Sequence, residues 1–254
     1  MKVCLTPLTG AVVAQSTYET QMPPGYATNL SLLTRPRRVW RLIQGGSPFA
    51  TIDLGASPPT IGAVVIGYTN APQIRLDVSS AISSGYSTLV THTVGVERLT
   101  RVMRGYVAAS SSLRYWRVIP LGVPVDADGL YRIGSVAFLA ANAIEEYLGD
   151  IPEQPMTVLH PRLGVTTGAQ GVYQQAPSGY PVRLMTLPAT PLPRTNAYVD
   201  QLRRLKGQRS GTPIVFYDDR GVPAQVMIGH VDRARQIQRR QTWFSDPLRI
   251  MEFT

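Results

Sequence analysis

The side chains best suited to acid–base catalysis or metal binding near neutral pH are the three histidines. They are His92, His160 and His230, and each lies by itself in a strand-like run. Metal sites need clustered donors at defined spacing. Serine hydrolases, zinc peptidases and phosphate-binding loops carry short motifs that this sequence lacks. We therefore predict no catalytic residue, no bound metal and no cofactor.

The acidic residues do not offer a catalytic pair either. Glu145 and Glu146 are adjacent, as are Asp218 and Asp219, and neighbouring residues of a strand point to opposite faces of the sheet. The second pair is explained by a hairpin turn. The segment 126–129, Asp-Ala-Asp-Gly, begins like a calcium-binding loop but lacks its downstream glutamate. A plain turn and an ion site are the two interpretations left open for it.

The strongest charge pattern is a basic run at positions 233–241, Arg-Ala-Arg-Gln-Ile-Gln-Arg-Arg-Gln. On a strand, alternate residues of this run share one face. The run contains no aromatic residue to stack on a single-stranded nucleic acid. We favour a polar hairpin that contacts neighbouring subunits, with a solvated strand face as the alternative. The predicted subunit-interface residues are Arg233, Arg235, Arg239, Arg240 and Trp243.

The overall composition is basic and poor in charge. The chain has 254 residues and a formal net charge of +9, yet only 16% of its residues are charged. A typical domain has about 25%. Lys2 and Lys206 are the only lysines among 25 basic residues. Because arginine suits protein interfaces, we interpret the surface as interfacial, with DNA binding as an alternative and no recognition of a nucleic-acid sequence.

Cysteine content and hydropathy limit the cellular setting. Cys4 is the single cysteine, which excludes an intrachain disulfide and a cysteine-based zinc site. No apolar run approaches the roughly 20 residues of a membrane span. The N-terminal segment has the pattern of a strand rather than of a signal peptide. We expect synthesis and folding in a cytoplasm.

The chain is predicted to be mainly β. Short runs of alternating apolar and polar residues fill positions 29–139, and 22 glycines and 21 prolines favour turns over long helices. The clearest runs are Thr51-Ile52-Asp53-Leu54-Gly55 and Arg114-Tyr115-Trp116-Arg117-Val118. This pattern predicts a β-sandwich or jelly roll. One helix is predicted over 196–206, with Thr195 or Asn196 as its cap.

The order of these runs resembles the galactose-binding-like (discoidin-type) jelly roll. In that family an Ile-Asp-Leu-Gly strand begins the core sheet, and an Arg-Tyr-Trp-Arg strand precedes a closing strand that ends in Ile-Gly. Here the order and spacing match over about 110 residues. The matching segments are 29–30, 36–41, 51–55, 61–66, 114–118 and 132–136.

Similar jelly rolls occur in tail proteins of long-tailed bacteriophages, and the remaining segments resemble the ring-forming, tail-tube-like β-barrel of distal tail proteins. The resemblance implies three parts: N-terminal strands over 1–26 that pack with the C-terminal barrel, a jelly roll over 27–140, and the barrel with its helix and strands over 141–254. It also implies a structural virion protein of the tail tip or baseplate. Such a protein forms a homohexameric ring between the tail tube protein and the hub proteins of the tip or central fibre.

Some relatives of the jelly roll bind carbohydrate through loops at one end of the sandwich. The resemblance therefore implies, as an alternative, a module that recognises a host surface glycan. The residues of this sequence that match such loops are Tyr68, Asn70, Tyr86 and Tyr131. A glycan hydrolase and a DNA-binding protein are the remaining alternatives, and the missing motifs disfavour the hydrolase.

Overall fold

The computed structural model of the protein describes fourteen segments, namely 1–16, 27–34, 39–43, 48–97, 102–125, 128–151, 156–159, 165–168, 171–174, 182–188, 195–208, 211–218, 225–231 and 248–252. The chain divides into two compact units. The first consists chiefly of Met1–Tyr147 and Gly211–Gly229, and the second of Leu148–Ser210 and His230–Glu252.

Short strands make up most of the described residues. In chain order they are β1 (Lys2–Cys4), β2 (Ala11–Gln15), β3 (Trp40–Ile43), β4 (Ala50–Asp53), β5 (Ile61–Thr69), β6 (Gln73–Ser79), β7 (Ser87–Thr93), β8 (Gly95–Glu97), β9 (Val102–Ser111), β10 (Tyr115–Leu121), β11 (Leu130–Ile133), β12 (Ser135–Ala140), β13 (Ile144–Glu146), β14 (Met156–Leu159), β15 (Val165–Gly168), β16 (Gly171–Gln174), β17 (Val182–Leu187), β18 (Ile214–Asp218), β19 (Gln225–Val231) and β20 (Leu248–Glu252). The described helices are α1 (Asn196–Gly207) and two short 3-10 helices, Ala27–Ser31 and Ala141–Ala143.

The first unit contains a β-sandwich. Its two larger sheets are antiparallel, with strand orders β2-β4-β10-β6-β7 and β12-β5-β9-β8, and β11 pairs with β3 in a small third sheet. Alternate residues of β10 point inward, so Trp116 and Val118 are buried in the core that the two sheets enclose. The ring of Trp116 meets that of Phe138 on β12 edge to face, with centroids 5.4 Å apart. This contact joins the two sheets.

The β5–β12 pair is buried on both faces, which explains its unbroken apolar sequence. Val136 and Phe138 belong to the core of the sandwich. Ala137 and Leu139 face a second cluster that includes Val215 and other residues of β1, β18 and β19. In this layer of the first unit the strand order is β13-β1-β18-β19. The first strand of the chain therefore pairs with a strand more than 200 residues further along.

The second unit contains α1, the β20-β17-β14 strands and the β15–β16 hairpin. Helix α1 begins at the cap residue Thr195, whose Oγ1 accepts a hydrogen bond from the N–H of Tyr198 at 3.2 Å. Leu202 and Leu205 are among the residues that it buries. The side chain of Gln201 accepts a hydrogen bond from the N–H of Leu148 at 2.9 Å. No described helix has the length and apolar character needed to cross a membrane.

The structure confirms the predicted fold class in its main points: a mainly β chain with a β-sandwich and one α-helix. As a correction, no barrel is closed among the strands described above. A closed barrel needs partners on both edges of every strand, whereas β13 pairs only with β1 and β14 only with β17 in the described residues. The boundaries at residues 26 and 140 stay predictions. Strand β1 pairs with the C-terminal strand β18, but β2 pairs with β4 in the sandwich.

Candidate functional site

Several predicted site residues lie outside the described part of the chain. They are Arg233, Arg235, Arg239, Arg240 and Trp243 of the predicted subunit interface, and their role stays a prediction. Position 68 belongs to β5, but the side chain of Tyr68 is not among those described. His160 and positions 126–127 of the calcium-loop-like segment also lie outside. Among the described residues, no group of three or more His, Cys, Asp or Glu side chains is arranged to hold a metal ion.

Asn70 and Tyr131 hold main-chain segments together at one end of the sandwich. The Nδ2 of Asn70 donates to the carbonyl of Leu130 at 2.7 Å, and its Oδ1 accepts from the N–H of Arg132 at 2.6 Å. The hydroxyl of Tyr131 donates to the carbonyl of Gly122. Burial raises the pKa of this phenol. Both side chains are largely buried, so their contacts explain them as structural residues, and a glycan-binding role stays a prediction.

Tyr86 lies in a different environment, on the outer face of the five-stranded sheet. The guanidinium carbon of Arg117 lies 3.7 Å from the centroid of the Tyr86 ring and 4.4 Å from that of Phe49. All three side chains are partly exposed. We call this group, Phe49, Tyr86 and Arg117, the Arg117 site. A guanidinium flanked by two aromatic rings is a favourable cation–π arrangement.

Strand alternation places Arg117 on this outer face. Its neighbours along β10, Trp116 and Val118, point into the core, so Arg117 must point out. Across the sheet it is in register with Thr51 on β4 and Asp77 on β6. Its Nε donates to the Oγ1 of Thr51 at 3.3 Å, which fixes the side chain against the sheet.

A tight loop between β6 and β7 positions Tyr86. The Oγ of Ser79 donates to the carbonyl of Ser84 at 2.7 Å and accepts from the N–H of Ala81 at 3.0 Å. Gly85 has a φ of 72°, a conformation that glycine adopts without strain. The Tyr86 hydroxyl donates to the carbonyl of Ile82 at 3.0 Å. These contacts restrain the ring before any ligand binds.

The charges on this face are unequally paired. Arg114 binds Asp53 through two hydrogen bonds of 2.7 Å, and this contact lowers the pKa of the Asp53 carboxyl. Asp77, only 6% exposed, lies 3.1 Å from the Nε of Arg75. Arg117 forms no ion pair with any described residue. Among the described residues of the outer face, these five charged side chains therefore leave one net positive charge.

Exposed residues with hydroxyl side chains precede and follow Tyr86 in the chain. The loop before it and the start of β7 expose Ser80, Ser83, Ser84, Ser87 and Thr88. An aromatic ring with adjacent hydroxyls and an arginine can pack on the apolar face of a small polar molecule and hydrogen-bond to its edge. The site offers no nucleophile paired with a base, so its arrangement suits binding rather than catalysis.

Three further titratable groups with shifted pKa values lie elsewhere in the described part of the chain. His92 lies on β7, opposite Ile74, and burial lowers its pKa. Cys4 is buried in β1, and burial raises the pKa of its thiol. Asp128 pairs with Arg132, which lowers the pKa of the carboxyl. Burial or a neighbouring arginine therefore accounts for the pKa shift of each of these groups.

Comparison with known proteins gives structural similarity only. No family model matches the sequence, and no curated protein matches it. Reduced XRCC1 bound to the DNA pol beta catalytic domain is similar over 53% of this chain and 99% of its own, at 15% identity and a TM-score of 0.41. CBM32 of AlyQ in complex with 4,5-unsaturated mannuronic acid is similar over 53% and 99%, at 18% identity and a TM-score of 0.38. Chitosan-binding module 1 from a chitosanase/glucanase of Paenibacillus sp. IK-5 is similar over 52% and 96%, at 16% identity and a TM-score of 0.41. Similarity at this level carries no information on ligand or partner.

Replacing Asn70 with alanine is expected to destabilise the protein. The change removes two buried hydrogen bonds to the main chain at Leu130 and Arg132. Such a loss costs about 1–3 kcal/mol, which urea unfolding measures. Asn142→Ala, at an exposed position, is the control and should change stability by less than about 0.5 kcal/mol. An unchanged unfolding midpoint for Asn70→Ala would contradict the structural role.

Acid should weaken the protein partly through Asp53. Arg114 lowers the folded-state pKa of Asp53. The ionised carboxylate therefore contributes to the free energy of unfolding above the unfolded-state pKa of about 3.9, and this contribution is lost as the pH falls through the folded-state pKa. The stability of wild type should therefore fall more steeply below about pH 4 than that of Asp53→Asn. Unfolding midpoints from pH 5 to pH 2 measure this, with Asp200→Asn in the exposed pair with Arg203 as control. Parallel curves for wild type and Asp53→Asn would reject the assignment.

Proposed function

We propose that the β-sandwich binds carbohydrate at the Arg117 site. The observation that carries this proposal is the Tyr86 ring, stacked on the guanidinium of Arg117 at 3.7 Å beside a loop rich in exposed hydroxyls. A sugar ring presents C–H groups on its face and hydroxyls at its edge. The aromatic ring suits the face, and serine hydroxyls and the guanidinium suit the edge.

Preorganisation supports the proposal. Binding is weakened when mobile side chains must be ordered, at about 0.5–1.5 kcal/mol for each one. Here the Tyr86 hydroxyl is already bonded to Ile82, and Arg117 is bonded to Thr51 and flanked by two rings. A ligand would therefore meet a site that is already in its binding conformation.

The proposal agrees with what the sequence resemblance implies, and it narrows the site. Of the four side chains expected from the resemblance, Asn70 and Tyr131 are occupied by main-chain contacts. Tyr86 is partly exposed and faces a second functional side chain. The proposed binding surface is therefore the outer face of the five-stranded sheet next to the β6–β7 loop.

Tyr86→Ala is expected to weaken glycan binding about tenfold, because it removes both the stacking of the ring, roughly 0.5–1.5 kcal/mol, and the apolar area that the ring buries, and about 1.4 kcal/mol corresponds to tenfold. The measurement is a glycan array followed by calorimetry on the glycans that bind. Tyr86→Phe is the matched control: it keeps the ring and loses only the hydrogen bond to Ile82. It should retain most of the affinity.

Two results would count against carbohydrate binding. One is that wild type binds no glycan of a broad panel. The other is that Tyr86→Ala binds as tightly as wild type while its unfolding midpoint is unchanged, since the ring would then not contact the ligand.

A second candidate function is a structural subunit of a bacteriophage tail tip. The observation that agrees with this resemblance is that β1 pairs with β13 on one edge and β18 on the other, so the first strand shares a sheet with strands of the predicted C-terminal part. The resemblance implies this organisation for distal tail proteins. In this proposal the chain is made in the host cytoplasm, assembles as a homohexameric ring and joins the tail tube protein to the hub of the tip in the virion.

Ring assembly is tested by native mass measurement and negative-stain imaging of the purified chain. We expect a closed ring of six copies, in which each subunit uses two different surfaces. Arg235→Glu combined with Arg239→Glu should weaken the ring, whereas Arg203→Glu on the exposed face of α1 should not. A chain that stays monomeric at high concentration and is absent from virions would exclude this function.

A further inference from the structure

We infer that the ligand of the Arg117 site carries a carboxylate, so that the proposed carbohydrate is an acidic glycan such as a uronate or sialylated oligosaccharide. This inference rests on the proposed function and specifies its substrate class. The inference comes from the charge pairing of the Arg117 side chain. Arg117 has no ion pair with a described carboxylate, whereas Arg75 and Arg114 on the same face each have one.

The guanidinium of Arg117 keeps most of its hydrogen-bonding capacity. Arginine has five N–H donors, and here Nε donates to Thr51. No described carboxylate lies within ion-pair distance of this side chain. The two terminal nitrogens form the planar fork that binds a carboxylate through two parallel hydrogen bonds.

Two other arginines that the structure describes on this face are already paired. Arg114 makes two short hydrogen bonds to Asp53, and Arg75 lies against Asp77. Asp77 is in register with Arg117, yet its ion pair is with Arg75. The negative charge of Asp77 would repel an anion at the site, but the positive charge of Arg75 balances it. Within the described part of this face, the charge left for a ligand is that of Arg117.

One net positive charge fits a singly charged group. A phosphate carries up to two negative charges and is usually bound by more than one cation or by the N-terminus of a helix, whereas Arg117 is the single cation without an ion pair among the described residues of this face. A carboxylate requires one fork. The rings of Phe49 and Tyr86 also shield the guanidinium from water, which strengthens its attraction to a bound anion. The exposed serines of the adjoining β6–β7 loop favour a sugar acid over an acidic peptide.

The experiment compares acidic glycans with the same glycans after their carboxyl groups have been reduced to alcohols. The probes are uronate and sialylated oligosaccharides, and binding to the full chain is measured by calorimetry. For wild type we expect carboxyl reduction to weaken binding at least about tenfold. Arg117→Gln should lose affinity for the acidic form by a similar factor and should no longer distinguish the two forms. Arg203→Gln, at an exposed position of α1, should behave as wild type.

Each other outcome overturns a stated claim. Equal affinity of wild type for the acidic and reduced forms overturns the carboxylate inference while carbohydrate binding stands. Preference for glutamate-rich peptides over every glycan overturns the substrate class. Binding to no glycan of either form overturns the proposed function together with this inference. The comparison of acidic and reduced glycans on wild type needs no variant. A misfolded Arg117→Gln protein would therefore not prevent the test of whether the carboxylate is recognised.

Discussion

Side-chain alternation along β10 couples the hydrophobic core to the exposed face. Trp116 is fully buried, donates its indole N–H to the carbonyl of Leu113 at 2.9 Å and packs against Phe138. Its position fixes that of the next residue, Arg117, on the opposite side of the sheet. A slip of one residue would bury the guanidinium and expose the indole. The register that buries the largest side chain of this strand therefore also positions the candidate binding group.

The outer face is stabilised by contacts that differ in kind from those of the core. Asp53 and Arg114 join the end of β4 to the start of β10 with two charge-assisted hydrogen bonds, and Gly55, with a φ of 94°, donates its N–H to the same carboxylate at 2.8 Å. The charges of Asp53 and Arg114 therefore neutralise each other within the protein. Arg117 is held by aromatic rings instead, which restrain a cation without neutralising it. The difference separates structural arginines from one that remains able to bind an anion.

Local patterns in the sequence predicted what depends on neighbours along the chain. Alternation identified β4 and β10, and spacing with a capping threonine identified α1, because core packing follows these periods. No sequence pattern singles out Arg117 as a site residue, although it lies on a strand that alternation predicts. The partners of Asn70 lie 60 and 62 residues away, so its buried role has no local signal. Phe49 precedes β4, and no sequence pattern links it to Arg117. The pairing of β1 with β18 joins strands more than 200 residues apart, so it has no local signal either.

The layers of the first unit separate the Arg117 site from strands β1 and β18. One face of the β5–β12 pair supports the sandwich core, and the other packs on residues of β1, β18 and β19. The Arg117 site lies on the five-stranded sheet, on the side away from the core and hence away from that second cluster. A ligand on this outer face would leave β1 and β18 untouched. Recognition of an acidic glycan on the outer face would therefore use different residues from any contact that a partner makes through β1 and β18.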